Sequence, residues 1–282
     1  MPELPEVETV KRGLNKLTLD QPIQGGEVLL ARTLAYPAEI KVFWQGITGM
    51  AIARWSRRGK YLLAQLNNDS AQPAGYLGVH LRMTGQLLWV KQTIPLQKHT
   101  RIRLLFAYNQ ELRFVDTRTF GKFWYIPPGI EPQLIITGLQ KLGPEPFAED
   151  FSVEYFNQQL HRRRRLIKTL LLDQSLVAGI GNIYADEALF QSGIRPDRLA
   201  TDLTNKQSQK LHQAITSVLQ TAIDKGGTTF SDFLNLLGVS GNYGNCAFVY
   251  GRYQQPCRVC GTDIEKIKLA GRTSHFCPSC QH

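Results

Sequence analysis

Val7, Val10, Leu14 and Leu17 recur at intervals of three and four residues. That spacing lines one face of a helix and predicts an amphipathic helix over roughly residues 4–17. Pro5 suits a first helical turn, and acids there complement the helix dipole. The pattern then changes. Arg101-Ile102-Arg103-Leu104 alternates as a half-buried strand does. Further strands are predicted at Glu27–Arg32, Thr48–Trp55, Tyr61–Leu66, Tyr76–Arg82, Gln86–Val90, Arg101–Phe106, Leu112–Asp116 and Lys122–Ile126. Short strands separated by turn residues imply an antiparallel sandwich or barrel, with the first helix flanking it.

Pro127-Pro128-Gly129 closes this block, and the chain stays rich in Pro and Gly to Asp150. Helical patterns follow at Ser152–His161, Arg165–Leu172 and Ile183–Gln191, which Ser192-Gly193 stops. The longest is Asn205–Asp224, with Leu211, Ile215, Val218, Leu219 and Ala222 on one face. Gly238–Gly244 reads as a mobile loop. The expected organisation is α+β and multidomain. A β domain spans 1–128, a linker 129–150, a helical domain 151–240 and a cysteine-bearing C-terminal segment 241–282.

Charge narrows the function. The 282 residues carry 33 Lys and Arg against 23 Asp and Glu, a net charge of +10. That excess points to a polyanion, nucleic acid before membrane. No apolar run approaches a membrane span and no signal-peptide pattern opens the chain, so a cytoplasmic protein is expected. In that reducing compartment, paired cysteines mean metal rather than disulfides. Cys257-x-x-Cys260 and Cys277-x-x-Cys280 are separated by sixteen residues. Two such pairs close a tetrahedral site of four sulfurs, a structural Zn2+ holding a small hairpin. Cys246 lies outside it and reads as a buried small residue.

Other candidates are weaker taken singly. Pro2 follows an initiator Met that is expected to be removed, leaving a free secondary amine with a reference pKa near ~8. Glu3 and Glu6 stand beside it, so the stretch offers a nucleophile with acid/base groups as well as a plain helix start. Lys60, after Arg57-Arg58-Gly59, begins a strand and on its own is a loop lysine. Arg272 falls between the cysteine pairs, where a hairpin tip suits phosphate contact as well as simple solvation. Gly179-Ile180-Gly181-Asn182 brings glycines to a helix start, with Asn182 a favoured N-cap. Arg162-Arg163-Arg164-Arg165 and Lys168 precede it, with no acid between Glu154 and Asp173. Met83, in His80–Gly85, and Arg118 and Phe120, in Asp116–Gly121, sit at turns that could offer apolar wedges to a base stack. In isolation, a core Met and a core Phe are the plainer reading.

Taken together these stretches resemble the formamidopyrimidine-DNA glycosylase (8-oxoguanine DNA glycosylase/AP lyase) family along the whole chain. The resemblance rests on Pro2-Glu3-Leu4-Pro5-Glu6-Val7-Glu8-Thr9, Arg58-Gly59-Lys60-Tyr61-Leu62, His80–Gly85 and Asp116–Gly121. It continues in Leu142-Gly143-Pro144-Glu145-Pro146, Gly179–Ala185, Gly226-Gly227-Thr228-Thr229 and the paired cysteines. The sister endonuclease VIII-like family prefers oxidised pyrimidines and usually has Gly where this chain has Leu4. A non-catalytic DNA-binding zinc protein on the same scaffold is the other alternative.

The resemblance implies an N-terminal β-sandwich, a helix–two-turn–helix domain and a zinc-ribbon hairpin, acting as a monomer on double-stranded DNA that holds oxidised bases or abasic sites. It implies that Pro2 attacks C1′ of the damaged nucleotide and forms a Schiff base, with Glu3 as general acid/base and Glu6 as possible support. Lys60 and Arg272 would hold phosphates and assist β- then δ-elimination. Asn182 would bind phosphate, and His80, His99 and Arg163 match positions near the DNA backbone. Met83, Arg118 and Phe120 match residues that fill the gap after the nucleotide flips out. One loop departs: Leu236–Gly244 carries no charge, where some relatives place a lysine near Val239.

Overall fold

The first helix, α1, spans Leu4–Leu17 as its periodicity predicts, with Val7, Val10 and Leu14 fully buried. At its start the Glu6 carboxylate accepts from Glu3 N at 2.7 Å, taking up a donor that the helix leaves unpaired. Asn15 then treats the sheet edge as a strand would. Its Nδ2 donates to Trp55 O and its Oδ1 accepts from Trp55 N, both at 2.9 Å. The computed structural model describes residues 2–228 and 235–282. They form two compact units, one of residues 1–140 with 226–241 and one of 141–225 with 242–282.

In the first unit the strands are β1 (Gly25–Val28), β2 (Leu34–Tyr36), β3 (Ala51–Arg58), β4 (Tyr61–Asn67) and β5 (Pro73–His80). They continue with β6 (Gly85–Lys91), β7 (Thr100–Phe106), β8 (Gln110–Asp116) and β9 (Lys122–Ile126). One sheet runs β1-β7-β8-β6 and the other β2-β9-β5-β4-β3. Every pairing is antiparallel except β2 with β9. One core joins the two sheets and α1. Phe114 of β8 meets Phe123 of β9 edge to face at 5.0 Å, across the sandwich. The alternation expected at Arg101–Phe106 is real: Ile102, Leu104 and Phe106 are buried, and their neighbours are not.

Several boundaries differ from the sequence expectation, three of them with a clear local cause. The strand expected over Glu27–Arg32 stops at Val28, because Leu29 N and Leu30 N both turn to Arg101 O and a 3-10 turn follows at Ala31–Thr33. The strand expected from Thr48 starts at Ala51. Thr48 instead caps a helix, α2 (Ile40–Ile47), its N–H donating to Trp44 O at 2.9 Å. Tyr76–Arg82 ends at His80, since Arg82 adopts φ +55°, which a strand cannot hold. α2 and β2 are too short to stand out as periodic. A further short helix, α3 (Pro132–Ile135), lies in the Pro- and Gly-rich stretch.

The second unit holds α4 (Val153–His161), α5 (Ile167–Leu171), α6 (Asn182–Ser192) and α7 (Asn205–Asp224), then a hairpin of β10 (Glu265–Leu269) and β11 (Arg272–Phe276). Ser152 caps α4, and Thr204 with Gln207 forms a capping box on α7. α6 is buried on nearly every side, including its charges Asp186 and Glu187. Glu187 is satisfied by the backbone N–H groups of Phe248, Val249 and Tyr250 at 2.8–2.9 Å. Burial raises the Glu187 pKa, and those three hydrogen bonds oppose the rise.

Candidate active site and nucleic-acid interface

Pro2, Glu3 and Glu6 are all buried at the start of α1. Glu6 spans two segments. One carboxylate oxygen holds Glu3 N, and the other accepts from Thr228 N at 2.9 Å. Gly227 makes this approach possible, since a Cβ there would stand 3.0 Å from Glu6 Oε1 and its φ is +79°. The helix start therefore anchors the Gly226–Thr228 turn. Sequence reading marked Glu6 as an acid beside the nucleophile and missed this tie, which spans 222 residues. Met1 and Thr229 lie outside the described residues. Farther along, Glu8 accepts from Lys11 and Arg57. Burial raises its pKa, but those two partners outweigh burial and hold the carboxyl below its usual range.

Lys60 does not begin a strand. It is the second residue of the two-residue Gly59-Lys60 turn between β3 and β4, where Arg58 pairs Tyr61 and Gly59 takes φ +54°. His80 ends β5, pairs with Tyr61 in the sheet register and packs edge to face on its ring at 4.4 Å. Burial, with the charges of Arg82 and Lys60, lowers the His80 pKa to about 3. The imidazole is neutral at physiological pH. Its Nδ1 accepts from Arg82 N at 3.0 Å, which leaves Nε2 as the N–H donor.

Met83 sits half-buried in the turn after His80, and Arg118 and Phe120 are exposed in the turn after β8. The plainer core reading of Phe120 is corrected: it is 49% exposed, with the Arg118 guanidinium 5.0 Å from its ring centroid. The two turns are joined. Thr84 Oγ1 donates to Asp116 Oδ1 and accepts from Arg118 N at 3.0 Å, while Asp116 Oδ2 accepts from Gly121 N at 2.8 Å. His99 belongs to the same assembly. Its carbonyl accepts from Asp116 N at 2.9 Å, and its Nδ1 lies 3.0 Å from Arg101 Nη2. The outward side chains of both turns are legible in the sequence, whereas the Thr84–Asp116 link behind them is not.

In the second unit Gly181, not Asn182, is the N-cap of α6; Asn182 is the first helical residue. The Asn182 side chain instead donates to Thr273 O at 2.9 Å, next to Arg272. Arg272 is exposed, one residue past the Ala270-Gly271 hairpin turn, in which both residues have positive φ. The basic run divides. Arg163 contacts Ser175 and Gln159 and stands 3.7 Å from Asp173, which Arg165 also holds at 2.8 Å. Burial raises the Asp173 pKa, but hydrogen bonds from Ser175 and Arg165 bring it below its usual value. Lys168 is no surface charge at all. It is fully buried, and its Nζ donates to Asn182 O at 2.8 Å and pairs with Asp186. Asp186 in turn accepts from His275 N at 3.0 Å, tying α6 to β11.

The sulfurs of Cys257, Cys260, Cys277 and Cys280 lie within 4.8 Å of one another, with pairs at 3.9 and 3.5 Å. A tetrahedron with Zn–S bonds of ~2.3 Å separates its sulfurs by about 3.8 Å, so the donor set fits one structural zinc. Cys246 is half-buried rather than buried and lines a cavity of about 460 Å³ with Phe190, Val218, Tyr243 and Phe248. Among the described residues no helix is long and apolar enough to cross a membrane.

A sheet sandwich with a helical unit and a four-cysteine hairpin is a two-part architecture for which relatives are known. The family description "Formamidopyrimidine-DNA glycosylase N-terminal domain" matches residues 1–123, "Formamidopyrimidine-DNA glycosylase H2TH domain" 142–233, and "Zinc finger found in FPG and IleRS" 254–282. The chain is 61% identical over 281 residues to the formamidopyrimidine-DNA glycosylase of Acaryochloris marina, covering 100% of this chain and 99% of that one. It is 60% identical over 282 residues to that of a Nostoc species, covering 100% of both. A Lactococcus lactis Fpg in complex with DNA containing an abasic site superposes with a TM-score of 0.90 at 38% identity, covering 99% of each chain. MutM in complex with DNA containing carbocyclic 8-oxo-G gives 0.89 at 37%, covering 100% of each. The chain belongs to the formamidopyrimidine-DNA glycosylase family.

Proposed function

We propose that this protein excises oxidised purines, 8-oxoguanine and formamidopyrimidines, from double-stranded DNA and then cleaves the strand as an AP lyase. The observation that carries the reading is the start of α1. Pro2 and Glu3 directly precede a helix whose Glu6 also holds the Gly226–Thr228 turn, in a chain aligned end to end with glycosylases bound to damaged DNA. The amine nitrogen of Pro2 attacks C1′ as the bond to the base breaks, and Glu3 moves the protons at the sugar. C1′ then carries both the Pro2 nitrogen and O4′; the C1′–O4′ bond breaks with a proton delivered to O4′, which opens the sugar and leaves an iminium. That iminium draws electrons from the C2′–H bond, whose proton then leaves. The 3′ and then the 5′ phosphate are expelled by β- and δ-elimination.

Lys60 and Arg272 hold those phosphates, and Asn182 and Arg163 fix the backbone through the helical unit. His80 serves as a neutral donor through Nε2, and His99 as a further backbone contact. Met83, Arg118 and Phe120 fill the space that the extruded nucleotide leaves. Zinc holds the hairpin that presents Arg272 and takes no part in the chemistry. Its four thiolate ligands leave no open position for substrate.

Borohydride reduction on duplex containing 8-oxoguanine opposite cytosine tests this. A covalent protein–DNA species is expected, with peptide mapping placing the link on Pro2. A link on Lys60 would reassign the nucleophile. No trapping on an oxidised base or an abasic site, with Met1 shown by mass to be absent, would return the chain to a non-catalytic DNA-binding role.

A further inference from the structure

Filling one gap in a base stack with side chains from two separate turns demands that the turns hold a fixed distance from each other. Met83 comes from the turn after β5, and Arg118 and Phe120 from the turn after β8. A chain of hydrogen bonds runs between them. Gly121 N donates to Asp116 Oδ2 at 2.8 Å, Thr84 Oγ1 donates to Asp116 Oδ1, and Arg118 N donates to Thr84 Oγ1 at 3.0 Å. Asp116 is 1% exposed, so its carboxylate is directed at these groups and not at a ligand. Its backbone extends the assembly, taking His99 O on its N–H at 2.9 Å and Arg101 Nε on its carbonyl at 2.8 Å.

Packing closes the same joint. A Cβ at Gly85 would stand 2.8 Å from the Phe114 ring, and one at Gly121 would stand 2.2 Å from it. Both turns thus press on the outer end of the same Phe114 ring, where neither leaves room for a side chain. The first turn is closed by Gly85 N on Leu81 O at 2.9 Å.

We propose that Thr84 and Asp116 are positioning residues for base extrusion: their side-chain link makes the two turns one body, so that Met83, Arg118 and Phe120 enter the stack together. The proposal rests on the wedge reading above. Neither residue reaches DNA; each acts through Arg118 and Phe120. Misplacing a reacting or inserting group by ~1 Å typically costs up to ~100-fold, and loosening one hydrogen-bonded joint should cost less.

Thr84→Val keeps the shape and removes the hydroxyl, while Thr84→Ser keeps the hydroxyl. Single-turnover excision of 8-oxoguanine paired with cytosine is compared with cleavage of a pre-formed abasic site, which needs no base extruded and reports the folded, active fraction of each preparation. Thr84→Val is expected to slow excision about tenfold, or ~1.4 kcal/mol, and abasic-site cleavage less than about twofold. Thr84→Ser should restore excision to within about twofold. On a Phe120→Ala background, Thr84→Val should add less than about twofold, because the two changes disable one device. Equal slowing of both substrates, no slowing of either, no rescue by Ser, or full multiplication in the double variant would each overturn the proposal. If Phe120→Ala alone slows both substrates alike, the wedge reading itself falls and this inference falls with it; a selective Phe120→Ala effect beside an unselective Thr84→Val effect refutes the joint alone.

Discussion

Two lysines in this chain follow runs of arginine, and they meet opposite fates. Lys60, after Arg57-Arg58, stands half-exposed in a two-residue hairpin turn, and its charge is felt by the buried His80 beside it. Lys168, after Arg162–Arg165, is fully buried against Asp186 and the Asn182 carbonyl. The cause is position within the local element. The tip of a tight hairpin cannot be covered by its own strands. A lysine between Ile167 and Leu170 on the buried side of a short helix has nowhere to go but inward, and it persists there only because α6 supplies a carboxylate. A run of positive residues is therefore no count of phosphate ligands. Asp173, shared unequally between Arg165 at 2.8 Å and Arg163 at 3.7 Å, and Asp186, paired with Lys168, offset two of the run's positive charges.

Substitution at the two sites should separate them. Lys168→Met leaves Asp186 buried without its cation and is expected to cost about 3–5 kcal/mol in urea unfolding, the usual scale for halving a buried pair. Lys60→Ala should change stability by less than ~0.5 kcal/mol while slowing abasic-site cleavage about 100-fold, as loss of one electrostatic stabiliser does. Near-native stability in Lys168→Met would break the contrast.

His80 sharpens it further. Its folded pKa, about 3, lies below the ordinary 6.5, so between those values the unfolded chain binds a proton that the native protein refuses. Stability must then fall as pH drops through that window, by about 2 kcal/mol between neutral pH and pH 5. His80→Gln should remove that share of the loss. Lys60→Ala should reduce it, because one of the charges that repels the imidazolium is gone. Urea midpoints at pH 7.5 and pH 5 provide the check, and an identical loss in His80→Gln would contradict the assignment.

The smallest effects concern DNA grip. Arg272→Ala is expected to weaken undamaged duplex by about 1 kcal/mol whatever its sequence, and to lower the slope of log affinity against log salt by about 1. Arg165→Ala, whose guanidinium already has Asp173 as partner, should move that slope less. Equal changes would mean that the internal pairing does not withdraw Arg165 from DNA.

Periodicity read α1 and α7 to the residue, because each carries its own pattern: Val7, Val10 and Leu14 on one helix face, and Leu211, Ile215 and Leu219 on another. α2 and β2 escaped, being too short to repeat, and Thr48 was drawn into the wrong strand. Asn182 was a fair N-cap by type, but capping depends on backbone angles, and Gly181 takes the extended conformation that the cap requires.

Composition, spacing and order along the chain were enough for the zinc set, the basic balance, the placement of Pro2 before two acids and the family resemblance. Each of these is local, or is a sum over residues, and needs no knowledge of what packs on what. The partners of the polar side chains were not legible in that way. Glu6 with Thr228, Thr84 with Asp116, and Lys168 with Asp186 join residues 222, 32 and 18 positions apart. Nothing in the intervening sequence records these pairings. A hydrogen bond forms only between groups that the packing of sheets and helices has already brought within about 3 Å, and that packing is settled by the apolar residues and not by the polar ones it brings together.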